Sequence, residues 1–272
     1  MSNRTNNSAS CNPVRELIGP GLAALFGLTI LIGLGIWQVE RLDWKTRLIA
    51  QITERTTASP QPLPPETAWG ALKPDDYAYR HVTVTGTFEH DKETHVFRPL
   101  SAETSRGRYS GVGDLVLTPL RLADGATVIV NRGFVPQDRI DPATRKEGQI
   151  AGTVTISGLM REPETRNLFT PVDDMKTGTW FTRDPIAIAQ FWHLDRAAPF
   201  TIDADGTPVP GGLPQGGETV LTIPNNHLSY ALTWFGLAIG LCSVFAAYVW
   251  KRVKAGADLE LHDPFVSGNT KR

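Results

Sequence analysis

The chain has 272 residues, 41% hydrophobic and 20% charged, with 27 basic against 28 acidic side chains and a formal net charge of −1. That is too apolar for a disordered chain and too evenly charged for a nucleic-acid binder, and the length allows one sizeable core or two small ones. Two cysteines, Cys11 and Cys242, exclude a disulfide framework, a Cys-x-x-Cys zinc site and paired-thiol copper chemistry, and Cys242 in its apolar run reads as a small buried residue.

In chain order, the first element is a membrane span. No charge interrupts Leu17 to Val39, between Glu16 and Glu40, and at about 1.5 Å rise per residue this run crosses a hydrocarbon core of roughly 30 Å. It exceeds the roughly 7 to 15 apolar residues of a signal peptide, and its Gly35-Ile36-Trp37-Gln38-Val39-Glu40 exit has no Ala-x-Ala-like site, so it reads as an uncleaved anchor. A helical pattern continues through Trp37, Arg41, Trp44 and Leu48 and stops at Ser59-Pro60-Gln61-Pro62-Leu63-Pro64-Pro65, which reads as a stiff extended stalk.

From Tyr79 the period changes to two. His81 to Thr85, Leu115 to Leu122, Thr127 to Phe134 and Thr153 to Leu159 predict strands. Asp124-Gly125 predicts a hairpin turn, and Asn131-Arg132-Gly133 ends the second arm with a residue free to take positive φ. A helix is predicted from Asp184 as N-cap, with Pro185 first, through Ile186, Ile188 and Phe191 to about Trp192.

The second span is Leu228 to Trp250, closed by Lys251, Arg252 and Lys254, which mark a cytoplasmic end. Two spans put both termini on one side; Arg4 and Arg15 agree, while Arg41, Lys45 and Arg47 oppose. At 100° per residue, Gly236 and Gly240 lie about 180° to 220° from His227, whereas Trp234, Ala238, Leu241 and Phe245 fall within about 40° of it. Small residues permit close helix approach, so the spans are expected to pack through Gly236 and Gly240 against Ala23, Gly27, Thr29 and Gly33. The His227 and Trp234 face is then left for a ligand, a partner or lipid.

The predicted fold is thus a membrane protein of α+β class, with two transmembrane helices flanking an antiparallel β-rich extracytoplasmic domain, a small barrel or sheet. The layout is a tail over 1–16, a span over 17–39, a helix extension and proline-rich stalk over 40–78, the β-rich domain over 79–218, a span over 228–250 and a tail over 251–272.

Chemistry is sparse. There is no Gly-x-Ser-x-Gly elbow, no phosphate-binding Gly-x-x-x-x-Gly-Lys and no His-Glu-x-x-His. Gly211, Gly212, Gly216 and Gly217 sit among Pro210 and Pro214 in what reads as a loop, and Asp75-Asp76 and Asp173-Asp174 read as solvated turns. Of the six histidines, His81, His90, His95, His193, His227 and His262, none pairs with another at helical ligand spacing. His90 and His95 would point to opposite faces of a strand unless a turn intervenes. His227 differs from the rest, because a titratable group at the edge of an apolar span carries a cost that usually reflects a function.

Three stretches now stand together: Val84-Thr85-Gly86-Thr87-Phe88-Glu89-His90, Val130-Asn131-Arg132-Gly133-Phe134-Val135-Pro136, and Asn225 through Gly236 by way of His227-Leu228-Ser229-Tyr230 and Trp234. In this order, and within a two-helix frame, they resemble the Surfeit locus protein 1 family over about Leu34 to Trp250. Phe134 departs conservatively from the tryptophan of many members. The resemblance implies a non-enzymatic, chaperone-like assembly factor of cytochrome c oxidase that helps heme a reach the oxidase's catalytic subunit, with heme a synthase as a further partner. A heme needs an axial donor, for which His227 is the candidate metal ligand, with Trp234 and Tyr230 against the porphyrin and Arg132 or Arg41 for its propionates. For each arginine a structural ion pair competes with that role. A membrane-anchored scaffold or sensor without cofactor remains the alternative. Membrane lipid is an expected partner and nucleic acid is not. The acid-free tail before Glu16 is short for a transit peptide, which predicts a bacterial plasma membrane with both termini cytoplasmic rather than a mitochondrial inner membrane.

Overall fold

A computed structural model of the chain describes residues 13–174, 178–219 and 223–261, with side chains over 17–174, 178–219 and 223–255. Arg4, Cys11, His262 and most of the two tails lie outside the described residues, as does the Arg15 side chain. The chain forms two units, one of residues up to Ile49 together with those from Ile223 onward, the other Ala50–Thr222.

The first unit is a helix pair. Helix α1 runs Pro13–Thr57 and helix α5 runs His227–Leu261, and Leu17–Thr57 and His227–Ala255 are both long and apolar enough to cross a membrane. They pack antiparallel: a Cβ placed on Gly35 would strike the Phe235 ring, one on Gly27 would press on the Leu241 side chain and one on Gly21 would touch the Phe245 ring in ordinary contact. The inward positions of α5 are His227, Ala231, Trp234, Phe235, Ala238, Leu241 and Phe245; those of α1 include Gly21, Ala24, Leu28, Leu31, Gly35, Gln38 and Leu42. Steps of four and three on both helices make this a heptad seam.

That seam overturns the expected packing. Gly236 and Gly240 are exposed with nothing near a Cβ on either, and Gly33 is likewise open, while Ala231 and Ala238 are buried. Of the α1 residues named for the contact, Ala23 and Thr29 are also exposed and only Gly27 takes part. The ring of Phe235 needs a hole, and Gly35 supplies it, so a large-into-small fit outweighs small against small. Cys242, expected to be buried, lies exposed on the outer surface of α5. The aromatic pattern past the membrane is helical but outward: Trp37 and Trp44 are exposed, and the Arg41 guanidinium lies 3.9 Å from the Trp44 ring centroid.

The second unit is a closed β-barrel. Its elements are β1 (Gln61–Pro62), α2 (Glu66–Trp69), α3 (Pro74–Tyr77), β2 (His81–Phe88), β3 (Thr94–Phe97), β4 (Gly113–Leu122), β5 (Thr127–Pro136), β6 (Thr153–Arg161), β7 (Thr179–Trp180), α4 (Pro185–Phe191) and β8 (Ala197–Ala204). Strands pair in the order β2-β6-β8-β5-β4, and β4 returns to β2 through Gly86↔Leu122 to Phe88↔Leu120. Gly86 permits the closure, since a side chain there would meet the Arg121 carbonyl and Leu120. Alternating Val82, Val84 and Phe88 of β2 point inward to Leu120, Val128, Val130, Met160, Phe200 and Ile202. Trp69 and Tyr77 pack on Phe200, with ring centroids 5.6 and 5.5 Å away.

The predicted strands, the Asp124-Gly125 hairpin and α4 all form; Asp184 caps α4 by accepting from the Ile186 and Ala187 amides. The proline stalk is extended but not free, because Gln61 and Pro62 pair with β2 and Leu63 joins the core. Strands β3, β7 and β8 were not legible. In β8, Pro199 breaks the pattern, and it falls where the β5–β8 register shifts between the Thr127 and Ile129 pairs. Strand β5 does not end at Gly133 but bulges there: Leu115 pairs Phe134 while Leu117 pairs Asn131. Gly133 takes φ 121°, and a Cβ on it would collide with Gln215.

Candidate functional site

Helix α5 starts at His227, after the irregular segment Pro224-Asn225-Asn226. His227 is half-buried against α1, where its Nδ1 lies 2.7 Å from Gln38 Oε1. An amide oxygen only accepts, so Nδ1 carries the proton and Nε2 of the neutral ring keeps its lone pair. Asn225 donates to Thr46 Oγ1 at 3.4 Å, and its Oδ1 is buried with no hydrogen-bond partner. Trp234 is half-buried on the inward face of α5 with His227, whereas Tyr230 is exposed, about 60° round the helix. The face expected to stay open for a ligand or partner, that of His227 and Trp234, is thus turned toward α1.

Arg132 belongs to the barrel unit, and its donors are occupied there. The β5 bulge turns it toward Glu93, which follows a single 3-10 turn at His90–Lys92. Arg132 Nη1 donates to Glu93 Oε1 at 2.8 Å and Gln149 Oε1 at 3.1 Å, and Nη2 donates to the Gly148 carbonyl. Arg145 donates to Glu93 Oε2 at 2.6 Å, and His90 and His95 close on the same carboxylate at 3.9 and 3.6 Å. The turn thus brings the two histidines together on one acid. Burial alone would push the Glu93 carboxyl up; the adjacent His90 and His95 imidazoles, with the hydrogen bonds and charge of Arg145, hold it well below the usual carboxylate range. Burial pulls the Arg132 guanidinium down to about 10 against the favourable charge of Glu93, so it stays protonated at neutral pH.

A second buried acid, Asp203, accepts from Asn131 at 2.9 Å, Arg183 at 2.5 Å, Arg161 at 3.2 Å and Thr219 at 2.8 Å. A cavity of about 230 Å³ beside it has Arg98, Arg161 and Arg183 balanced by Glu164, Asp203 and Glu218. Arg98, Arg161 and Arg183 pair with Glu164 and Asp203, while Glu218 accepts from Gln215 and the Arg106 amide. His81 bonds Asp205 at 2.7 Å and the Ala58 carbonyl at 2.9 Å, and His193 sits in the turn after α4 at φ 50°.

Among the described residues no group of three His, Cys, Asp or Glu side chains could hold a metal ion. A lone imidazole cannot retain a bare cation. It can ligate an iron that brings four equatorial donors of its own. Sequence reading passed over Gln38, although an amide in an otherwise apolar span, on the Gly35 and Leu42 face, was a readable signal.

The fold and this helix-end site define a two-span membrane protein with a β-barrel domain inserted in the chain between the spans. The profile of the SURF1 family matches residues 25–239, from α1 through the barrel into α5, and the chain belongs to that family. It is 38% identical over 237 residues to Surfeit locus protein 1 of Rattus norvegicus, covering 84% of this chain and 73% of that one. Against Surfeit locus protein 1 of Homo sapiens the identity is 39% over 228 residues, 80% of this chain and 72% of the relative. A SURF1-like protein of Monosiga brevicollis is 38% identical over 248 residues, 86% and 88% of the two chains.

Proposed function

We propose that the protein is a non-enzymatic assembly factor of cytochrome c oxidase that holds heme a as cargo and passes it to the catalytic subunit, with heme a synthase as the supplying partner. The observation that carries this reading is the His227 imidazole, whose Nδ1 is held by Gln38 and whose Nε2 makes no hydrogen bond among the described residues. His227 would supply one axial bond, and Tyr230 and Trp234 the apolar flank. One axial bond suits a carrier, since each further ligand slows release. The buried, unpaired Asn225 Oδ1 offers an acceptor to a hydroxyl or protonated propionic group. Arg41, one turn beyond Gln38 and exposed, is the better propionate partner, because the donors of Arg132 are taken by Glu93, Gln149 and Gly148. Protein purified from heme a-producing cells should show a Soret band and a heme a pyridine hemochrome; colourless protein would instead favour a cofactor-free scaffold or sensor.

The proposed setting is a bacterial plasma membrane, with both termini cytoplasmic and the barrel outside, supported by Lys251, Arg252 and Lys254 at the end of the second span. With Cys11 and Cys242 replaced by serine, a cysteine at the exposed Ala102 should react with an impermeant thiol reagent in intact cells. One at Ser267 should react only after lysis; the opposite pattern overturns the orientation.

A further inference from the structure

Gln38 is 9% exposed, within the apolar seam between α1 and α5, and among the described residues its side chain bonds only to His227. A buried amide is costly, and at this seam position leucine would fill the space without that cost. What leucine lacks is an acceptor for Nδ1–H. A hydrogen bond to the far nitrogen of a ligating imidazole fixes its tautomer and ring orientation and raises its basicity.

Resting on the reading of His227 as an axial ligand, we infer that Gln38 is the positioning residue for the heme site: it holds His227 as the Nδ1–H tautomer, keeps Nε2 available to iron, and tunes the strength of that bond. The two residues are 189 positions apart and on different helices. The ligand is therefore correctly set only where the two spans are paired.

The test uses the full chain in micelles and three variants. In apo protein with nitrogen-labelled histidine, the His227 resonances should report Nδ1–H in the wild type and a shift toward the Nε2–H tautomer in Gln38→Leu. A residue that merely packed would leave the tautomer unchanged. Titrated with heme a, Gln38→Leu should bind about 10- to 100-fold more weakly, the usual cost of losing such a partner. Gln38→Glu should restore binding and lower the heme reduction potential, because a charged acceptor makes imidazole a stronger donor. An unaltered tautomer, affinity and potential in Gln38→Leu would overturn the inference. Should that variant not assemble its helix pair, Gln38→Glu decides alone: a lowered potential supports the role, and an unmoved one refutes it. Heme binding retained in His227→Ala would overturn the axial reading itself, while the tautomer result still reports on Gln38.

Discussion

His227→Ala is expected to lower the heme a that co-purifies with the protein by at least about tenfold, a difference of 1.4 kcal/mol or more. The side chain is half-buried at the first position of α5 and its one hydrogen bond is to Gln38, so its removal leaves that amide unpaired at a cost of about 1 to 3 kcal/mol to the helix pair and takes nothing from the barrel core. The variant should therefore insert and fold while losing its iron donor. His227→Met should keep a spectrally altered heme at raised potential, since a thioether also ligates iron. In cells, oxidase should accumulate with incomplete heme rather than disappear, because a delivery factor is no part of the catalyst. The control is His193→Ala, in the barrel unit after α4. Full heme content and an unchanged spectrum in His227→Ala, with loss in His193→Ala, would put the ligand in the barrel and end the proposal.

The largest effect on stability is expected at Glu93. Its carboxylate is 4% exposed and answers two buried guanidiniums, Arg132 at 2.8 Å and Arg145 at 2.6 Å. Glu93→Gln leaves both cations without a counter-charge, and breaking such a buried pair costs about 3 to 5 kcal/mol. For a unit of this size that lowers the melting temperature by roughly 6 to 20 °C, read from the β-sheet dichroism of the intact chain in detergent. The pH dependence has a definite sign. A carboxyl held below its ordinary value of about 4.3 contributes its full stabilisation above that pH and loses it as pH falls toward the folded-state value. The gap between wild type and Glu93→Gln should hold from neutral pH to about 5 and narrow progressively as pH falls below about 4.3. Adding Arg145→Met to Glu93→Gln should recover part of the loss, because it removes one uncompensated charge. Equal melting temperatures for wild type and Glu93→Gln would show that the network contributes nothing net.

Both predictions concern residues of unequal visibility. His227 stood out in the sequence because a polar ring beginning an apolar run is unusual by itself. Glu93 did not, since its partners Arg132, Arg145 and Gln149 come from a bulge and a distant turn, and nothing local marks it as a hub. Even His90 and His95 converge only because the 3-10 turn between them cancels the alternation of a strand.

What the sequence by itself determined was local or periodic: two uncharged runs as spans, alternation in β2, β4, β5 and β6, the Asp124-Gly125 turn, and Asp184 capping α4. These follow from backbone geometry and burial period, which each segment carries alone. Helical arithmetic likewise told which residues share a face of α5, but the packed face depends on what the opposite helix presents. Gly35 offers a hole for Phe235, so the His227 face turned inward and Gly236 and Gly240 outward. Barrel closure, the seating of the proline segment on β2, and strand β8 across Pro199 also required partners far along the chain. Only the tertiary structure put Gln38 on His227, because a hydrogen bond depends on distance in space, and no pattern within either helix encodes the other's register.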